Sequence, residues 1–180
     1  MPRPSARLRL LKCAAEVVRR DGAGALTLDA VAEEAGASKG GVLYHFPTKA
    51  ALVKALVDDV LDTFESEVDS RAAHDPRAGA WAHAYVDATF DVAVSQPDLA
   101  VALLFVTGPD GSLLHQCAAR LDAWHRTLLA DGLSPATGAL VRYACDGWWT
   151  VGTLGAGEDR EVTAALRQRL HAMIDDEVGP

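Results

Sequence analysis

Apolar residues recur every three to four positions along almost the whole chain, and no stretch of useful length alternates apolar with polar residues. A period near 3.6 marks helices with one buried face, so the pattern predicts an all-α protein. The first helix is expected over about residues 5–20, with Leu8, Leu11, Ala15 and Val18 on one face and Asp21-Gly22 as its stop. Two short helices follow. Thr27 precedes LDAVAEEAG and Ser38 precedes KGGVLYHF, each placed as an N-cap whose hydroxyl can take up a free first-turn amide, and Gly36-Ala37 separates the two. Pro47-Thr48 then opens a long helix over about 48–71, whose Val53, Leu56, Val57, Val60, Leu61, Phe64 and Val68 form a broad apolar stripe.

Beyond the polar break AAHDPRAG the same period predicts helices over about 78–95, 99–106, 112–130, 136–154 and 159–177. The breaks between them are rich in Gly, Pro and Asp: Gln96-Pro97-Asp98, Gly108-Pro109-Asp110-Gly111 and Asp131-Gly132 with Ser134-Pro135. In the helix over 112–130, Leu114, Cys117, Leu121, Trp124 and Leu128 are expected to face inward. The architecture is thus about nine helices, without internal repeat or low-complexity tract.

Composition narrows the class. With 49% hydrophobic and 23% charged residues the chain can bury a core, and no apolar run approaches the roughly 18–20 residues of a membrane span. The basic start MPRPSARLRLLK leads into no long apolar segment, so no signal peptide is read and a cytoplasmic protein is expected. Cys13, Cys117 and Cys145 are three, far apart and set in apolar helical patterns, which argues for buried thiols rather than disulfides or zinc. The net charge of −8 disfavours a polyanionic partner until its distribution is considered. Residues 1–54 carry nine Lys/Arg against five acids, whereas residues 55–180 carry eight against twenty. Only the N-terminal end can approach a polyanion.

Catalytic chemistry is not indicated. His115 and Cys117 are two apart on a helix and face different ways, and there is no HExxH, nucleophile elbow or Gly-rich phosphate loop. A metal sensor assembled from His83, His125 and Cys145 across helices is set aside. No catalytic residue, metal site or cofactor is expected.

Residues 27–46 have the anatomy of a helix-turn-helix. Ala32 is small where the helices cross, Gly36 is free to take a positive φ in the turn, and Val31, Ala35, Val42 and Leu43 are expected to supply the contacts between them. Gly40 and Gly41 sit inside the second helix, where each costs roughly 1 kcal/mol against Ala. A bare backbone at that point suggests close approach by something outside the chain. The stretch TLDAVAEEAGASKGGVLYHFPTKAALVKAL resembles the N-terminal DNA-binding region of the TetR (tetracycline-repressor) family of bacterial transcriptional regulators, over about residues 8–56. The remainder resembles that family in length, helical character and order of elements.

That resemblance implies a three-helix helix-turn-helix DNA-binding domain over residues 1–50 and a helical ligand-binding and dimerisation domain over 51–180. It implies a homodimer on double-stranded operator DNA, acting as a repressor that a small-molecule inducer releases, with no membrane partner. Carried onto this chain, Thr27 and Ser38 are helix caps close to phosphates. Lys39, Gly40 and Gly41 begin the recognition helix at the base edges, Tyr44 and His45 meet the backbone or nearby bases, and Thr48 and Lys49 match phosphate contacts. Ala50 and Ala51 stand where the family has an acidic residue, so a weaker cap on the fourth helix is expected. Tyr44 could instead close the small core, His45 could be an exposed spacer, and Arg3, Arg7 and Arg9 could either form an arm toward DNA or only solubilise a helix end. Phe46 is assigned to the core. The rival reading is a helical interaction or ligand-storage protein in which the motif is merely a corner.

In the C-terminal part, Trp81, Tyr85, Phe105, Trp124, His125, Tyr143 and Trp148 are candidates for lining a ligand cavity, against the plain alternative that aromatics at helical spacing are core. Leu140, Tyr143, Gly147 and Val151 on the penultimate helix, with Val162, Leu166, Leu170 and Met173 on the last, form stripes suited to a four-helix bundle across a two-fold axis. The alternative is packing within one subunit. Two-fold symmetry would require an approximately palindromic operator.

Overall fold

The structure, a computed structural model, describes residues 5–95, 111–153 and 159–179. Among the described residues there are eight α-helices and no strand: α1 (Ala6–Asp21), α2 (Leu28–Glu34), α3 (Lys39–His45), α4 (Lys49–Ala72), α5 (Ala80–Ser95), α6 (Gly111–Ala130), α7 (Pro135–Thr153) and α8 (Arg160–Val178). A single 3₁₀ turn, Ala23–Ala25, follows α1. The helix expected over about 99–106 lies outside the described residues. The all-helical reading holds. The chain divides into two compact units, one with the described residues up to Leu61 and the other with those from Asp62 onward, so α4 contributes to both.

In the first unit α1 packs on α2 and on the 3₁₀ turn, and α2 on α3. The buried face of α1 is Leu10, Leu11, Ala14, Val17 and Val18; Leu8 and Ala15, expected inside, are only half-buried. Two overlapping apolar stripes are available on this helix, and contact with two elements at once selects the one displaced from the expected position. Leu26, Val31, Ala32, Val42 and Phe46 complete the small core, with Leu52, Val53, Leu56, Val57 and Val60 of α4 also buried. Leu43, expected to close the α2–α3 contact, is instead exposed, because its neighbour Val42 takes the inward position. Gly36 has φ +57, and the amides of Gly36 and Ala37 donate to the carbonyls of Glu33 (3.1 Å) and Ala32 (2.9 Å). This pair of bonds is a Schellman end to α2, which only a residue at ease with positive φ can complete.

The second unit is built around α5, which contacts α6, α7 and α8. Every residue from Ala82 to Phe90 except Asp87 is buried. The start of α5 is fixed from a distance: Asp131 Oδ2 accepts from the Ala82 amide at 2.9 Å, and Asp69 Oδ1 accepts from the Trp81 indole at 3.0 Å. Arg120 on α6 binds Asp62 at 2.7 Å and Glu65, both on α4. Of the three thiols expected to be buried, only Cys145 is fully so, and burial pushes its pKa up to about 12; Cys13 and Cys117 are half-buried.

Gly79 precedes α5 with φ +72, and a Cβ there would stand 2.9 Å from methyls of both Ile174 and Val178 on α8. Gly79→Ala is therefore expected to destabilise the protein by about 1–3 kcal/mol in a denaturant titration. Gly24→Ala, which meets nothing within 4 Å, should stay within about 0.5 kcal/mol of the parent.

Candidate nucleic-acid interface

Three consecutive helices of the first unit begin with a hydroxyl cap. Thr27 Oγ1 accepts from the Ala30 amide at 3.0 Å, Ser38 Oγ from Gly41 at 3.1 Å, and Thr48 Oγ1 from Ala51 at 3.0 Å. The cap on α4 is thus present, although Ala51 supplies no acidic side chain to return the bond. Such caps matter here because seven-residue helices are too short to hold themselves.

The two glycines are not demanded by the chain's own packing. Neither has a positive φ; a Cβ on Gly40 would meet nothing within 4 Å, and one on Gly41 only Ser38 Oγ at 3.3 Å. The bare patch faces open space. Lys39 Nζ lies 3.0 Å from Asp29 Oδ2 on α2, with both side chains mostly exposed. A pair of this kind is worth only about 0–1 kcal/mol, so Lys39 can exchange Asp29 for another anion at small cost. Asp29 carried no signal in the sequence beyond its charge. Lys49 is exposed and makes no ion pair among the described residues, whereas Lys54 is held by Asp58 at 2.7 Å.

Tyr44 is 84% exposed, which removes the alternative of a core role. Its ring meets that of His45 edge to face at 5.1 Å, and half-buried His45 lies next to Phe46, which is buried as expected. The Arg7 guanidinium sits 5.4 Å from the Phe46 ring centroid, so this arginine is docked on the small core. Arg9 is exposed, and Arg3 lies outside the described residues. Of the nine residues singled out on α2, α3 and the start of α4, all but His45 are exposed.

The aromatic candidates of the second unit separate into groups. Trp81, Tyr85 and Trp124 join Phe64 of α4 in one cluster, with ring centroids 5.4 Å apart for Trp81–Tyr85 and Phe64–Tyr85 and 4.9 Å for Phe64–Trp124. By spacing alone Phe64 belongs only to the apolar stripe of α4. The Tyr85 hydroxyl donates to Asp146 Oδ1 at 3.4 Å; burial pushes the pKa of both groups up, while Arg142 opposes the shift. His125, next to Trp124 on α6, is half-buried, and Trp148 pairs instead with Phe90 at 4.5 Å. Phe105 lies outside the described residues. An open cleft of about 460 Å³ is lined by other residues, Arg71, His74, Asp75, Pro76, Arg77, Ala84 and Asp87.

Tyr143 is 66% exposed and stands with Leu140, Gly147 and Val151 on an outward stripe of α7. Val162 of α8 is exposed too, and Leu166 and Met173 are half-buried. Leu170, placed on the same stripe by spacing, is 2% exposed within the single chain. It lies with Ile174 on the inner side of α8, the helix that packs on α5.

The model for bacterial regulatory proteins of the tetR family matches residues 10–56, and that for the tetracyclin repressor-like C-terminal domain matches residues 79–175. The chain belongs to the TetR family. It is accordingly a DNA-binding transcription regulator and not an enzyme. No curated protein sequence matches it. Among solved structures, a TetR transcription regulator from Haloarcula marismortui ATCC 43049 has a TM-score of 0.78 at 21% identity, covering 96% of this chain and 97% of that one. The multidrug binding protein EbrR complexed with malachite green has a TM-score of 0.72 at 22% identity, with 94% and 98% covered. A TetR/AcrR-family regulator from Thermobifida fusca YX-ER1 gives 0.70 at 20%, with 93% and 97% covered. At these identities the likeness establishes the TetR fold.

The open space at Gly40 has a measurable consequence for this TetR-family chain. Gly40→Ala is expected to raise stability by about 0.5–1 kcal/mol, since it relieves the backbone entropy of a helical glycine without a clash. Thermal and denaturant unfolding check this, and a loss of stability would show that the glycine is needed by the fold itself.

Proposed function

We propose that the protein is a cytoplasmic, ligand-responsive repressor that binds a palindromic operator as a homodimer and is released by a small molecule. Residues 1–50 are the DNA-binding domain and 51–180 the ligand-binding and dimerisation domain. The observation that carries the reading is the bare Gly40-Gly41 surface, unneeded by internal packing and flanked by exposed Lys39 and Tyr44. It lies within the first 54 residues, which carry nine Lys/Arg against five acids. On this reading Lys39 and Tyr44 reach base edges or adjoining backbone, while Thr27, Ser38, Thr48 and Lys49 engage phosphates and fix the register, with His45 supporting Tyr44. The inducer is accommodated beside the aromatic cluster of Trp81, Tyr85 and Trp124, with Asp146 and His125 as polar groups. EbrR, of the same fold, binds malachite green, which makes an aromatic cation a reasonable first probe. Any inducer must bind the DNA-incompetent state more tightly, since equal affinity shifts nothing.

A gel-shift titration on the inverted repeat beside its own gene tests the DNA reading. Lys39→Ala and Tyr44→Ala should each weaken operator binding by about 1–3 kcal/mol, and Lys49→Ala should weaken binding on all sequences alike with a salt slope smaller by about one. Undiminished binding by all three variants would overturn these roles.

Dimerisation is tested separately. The exposed stripe of Leu140, Tyr143 and Val151 on α7, with Val162 on α8, is the proposed two-fold contact, supported by half-buried Leu166 and Met173 and by the small Gly147. Sedimentation should give twice the 19.0 kDa chain mass, and a Tyr143→Asp, Val151→Asp double variant should sediment as a folded monomer. A parent that is monomeric at micromolar concentration would overturn the assembly.

A further inference from the structure

A line of four side chains ties α5 to α8. His83 is 1% exposed, and its Nδ1 is 2.7 Å from Nδ1 of His171. His171 Nε2 is 2.9 Å from Asp87 Oδ1, and the Nε2 of His83 is 3.1 Å from Asp175 Oδ1. Asp87 also accepts from Arg167 Nε at 2.9 Å and Nη2 at 2.6 Å, so its oxygen is an acceptor and the hydrogen in that contact belongs to His171 Nε2. A neutral His171 then presents a bare Nδ1, and the single hydrogen between the two rings must sit on His83 Nδ1. With that hydrogen placed, a neutral His83 has nothing on Nε2. In the present geometry this buried nitrogen makes no hydrogen bond, although Asp175 is 3.1 Å away. Two acceptors face each other, and the line is one hydrogen short.

We propose that the His83–His171 pair is an effector site for a single proton, taken up at His83 Nε2: the new charge lies where the residue is 1% exposed, the part-exposed Asp175 offsets only part of that cost, and the seat of α8 on α5 is loosened. The step adds one proton from solvent to the Nε2 lone pair; no other bond forms or breaks. Neutral His83 becomes an imidazolium, bonded through Nε2–H to Asp175 and through Nδ1–H to His171. Asp175 is part-exposed and has room to move onto the new donor.

The surroundings set the sign. Burial is the largest influence on His83 and lowers its pKa below the usual 6.5; Arg77 and His171 lower it further, while Asp175 and Asp75 raise it. The remaining charged groups around the line are Arg167 with Asp87 and Asp91, Arg71 of α4 on Asp91 at 2.7 Å, and Asp131 at the Ala82 amide. Arg142 and Asp146 of α7 meet α5 at Tyr85, not at His83. Because the folded pKa lies below the unfolded one, the stability contributed by neutral His83 is complete above pH 6.5 and is lost as pH falls through that value toward the folded pKa. Acid therefore weakens the α5–α8 contact.

Imidazole nitrogen NMR on the full-length protein tests this directly. His83 is expected to take up one proton at a midpoint below 6.5, with amide protection in α8 falling as pH drops below that value. A His83 midpoint at or above that of an ordinary imidazole would overturn the proposal. His83→Gln risks misfolding, so Asp175→Asn on the exposed side is the second variant. It should shift the midpoint further down, and an unchanged midpoint also overturns the proposal. The consequence for assembly rests on the two-fold dimer proposed above, because α8 carries part of that stripe. Several-fold weaker dimerisation at the lower pH is expected. Proton uptake at His83 with an unchanged dimer constant overturns the coupling, whereas a chain monomeric at both pH values overturns the dimer instead.

Discussion

The second unit depends on one constraint: α5 is surrounded. A helix buried on nearly every side must be apolar all round or have each polar group answered by a neighbour. The sequence of α5 does both. Ala82, Ala84, Val86, Ala88 and Phe90 fill space, Thr89 returns its hydroxyl to the Tyr85 carbonyl at 2.8 Å, Asp87 is answered from α8, and His83 is answered there through Nδ1. The first turn, which cannot bond to itself, is met by Asp131, just past the end of α6. Packing this dense leaves room for nothing at Gly79, where α8 presses its methyls against the bare backbone. The same closeness brings two histidines from different helices to hydrogen-bonding distance.

The first unit solves the opposite problem. Its helices α2 and α3 have seven residues each, too few to persist through their own bonds. They are held by ends rather than by length: a hydroxyl cap on each, a Schellman closure at Gly36, and a compact apolar centre of Val31, Ala32, Val42 and Phe46. With stability drawn from caps and core, the outer surface of α3 is free to carry two glycines that no helix would choose. The outward position of Tyr44 follows from the same economy of inner positions, since Val42 and Phe46 occupy the places facing inward.

This difference explains what could be read from the amino-acid order. Caps, breaks and the positive-φ glycine are local signals, so Thr27, Gly36, Ser38 and the limits of most helices were legible without a partner in view. The choice of buried stripe was less so. Leu8, Ala15, Leu43 and Leu170 each lie on an apolar face in isolation, and only the direction from which the next helix arrives decides whether that face is the one covered. Leu170 is the clearest case, being drawn inward because α8 packs on α5. The pairing of His83 with His171 spans 88 positions and no periodicity contains it. Likewise the gathering of Phe64 with Trp81, Tyr85 and Trp124 joins residues of three helices, although each was individually visible as apolar.

Charge shows the same division between what is local and what is assembled. The excess of Lys and Arg in the first 54 residues is evident by counting, and it limits which end of a −8 chain can meet a polyanion. What counting does not reveal is that Lys39 is already engaged by Asp29 and Arg20 by Asp21 and Glu34. The positive potential of the free protein is therefore weaker than its composition suggests, and it is partly latent. Exposed pairs of this strength exchange readily, so an incoming phosphate needs to displace a carboxylate rather than water, at a cost of about 0–1 kcal/mol per pair. That cost falls alike on every sequence of DNA, whereas base contacts vary with sequence. On the proposed DNA reading, an intramolecular carboxylate on Lys39 thus lowers indiscriminate attraction without weakening discrimination, which is the balance required of a surface with two glycines and few side chains to read with.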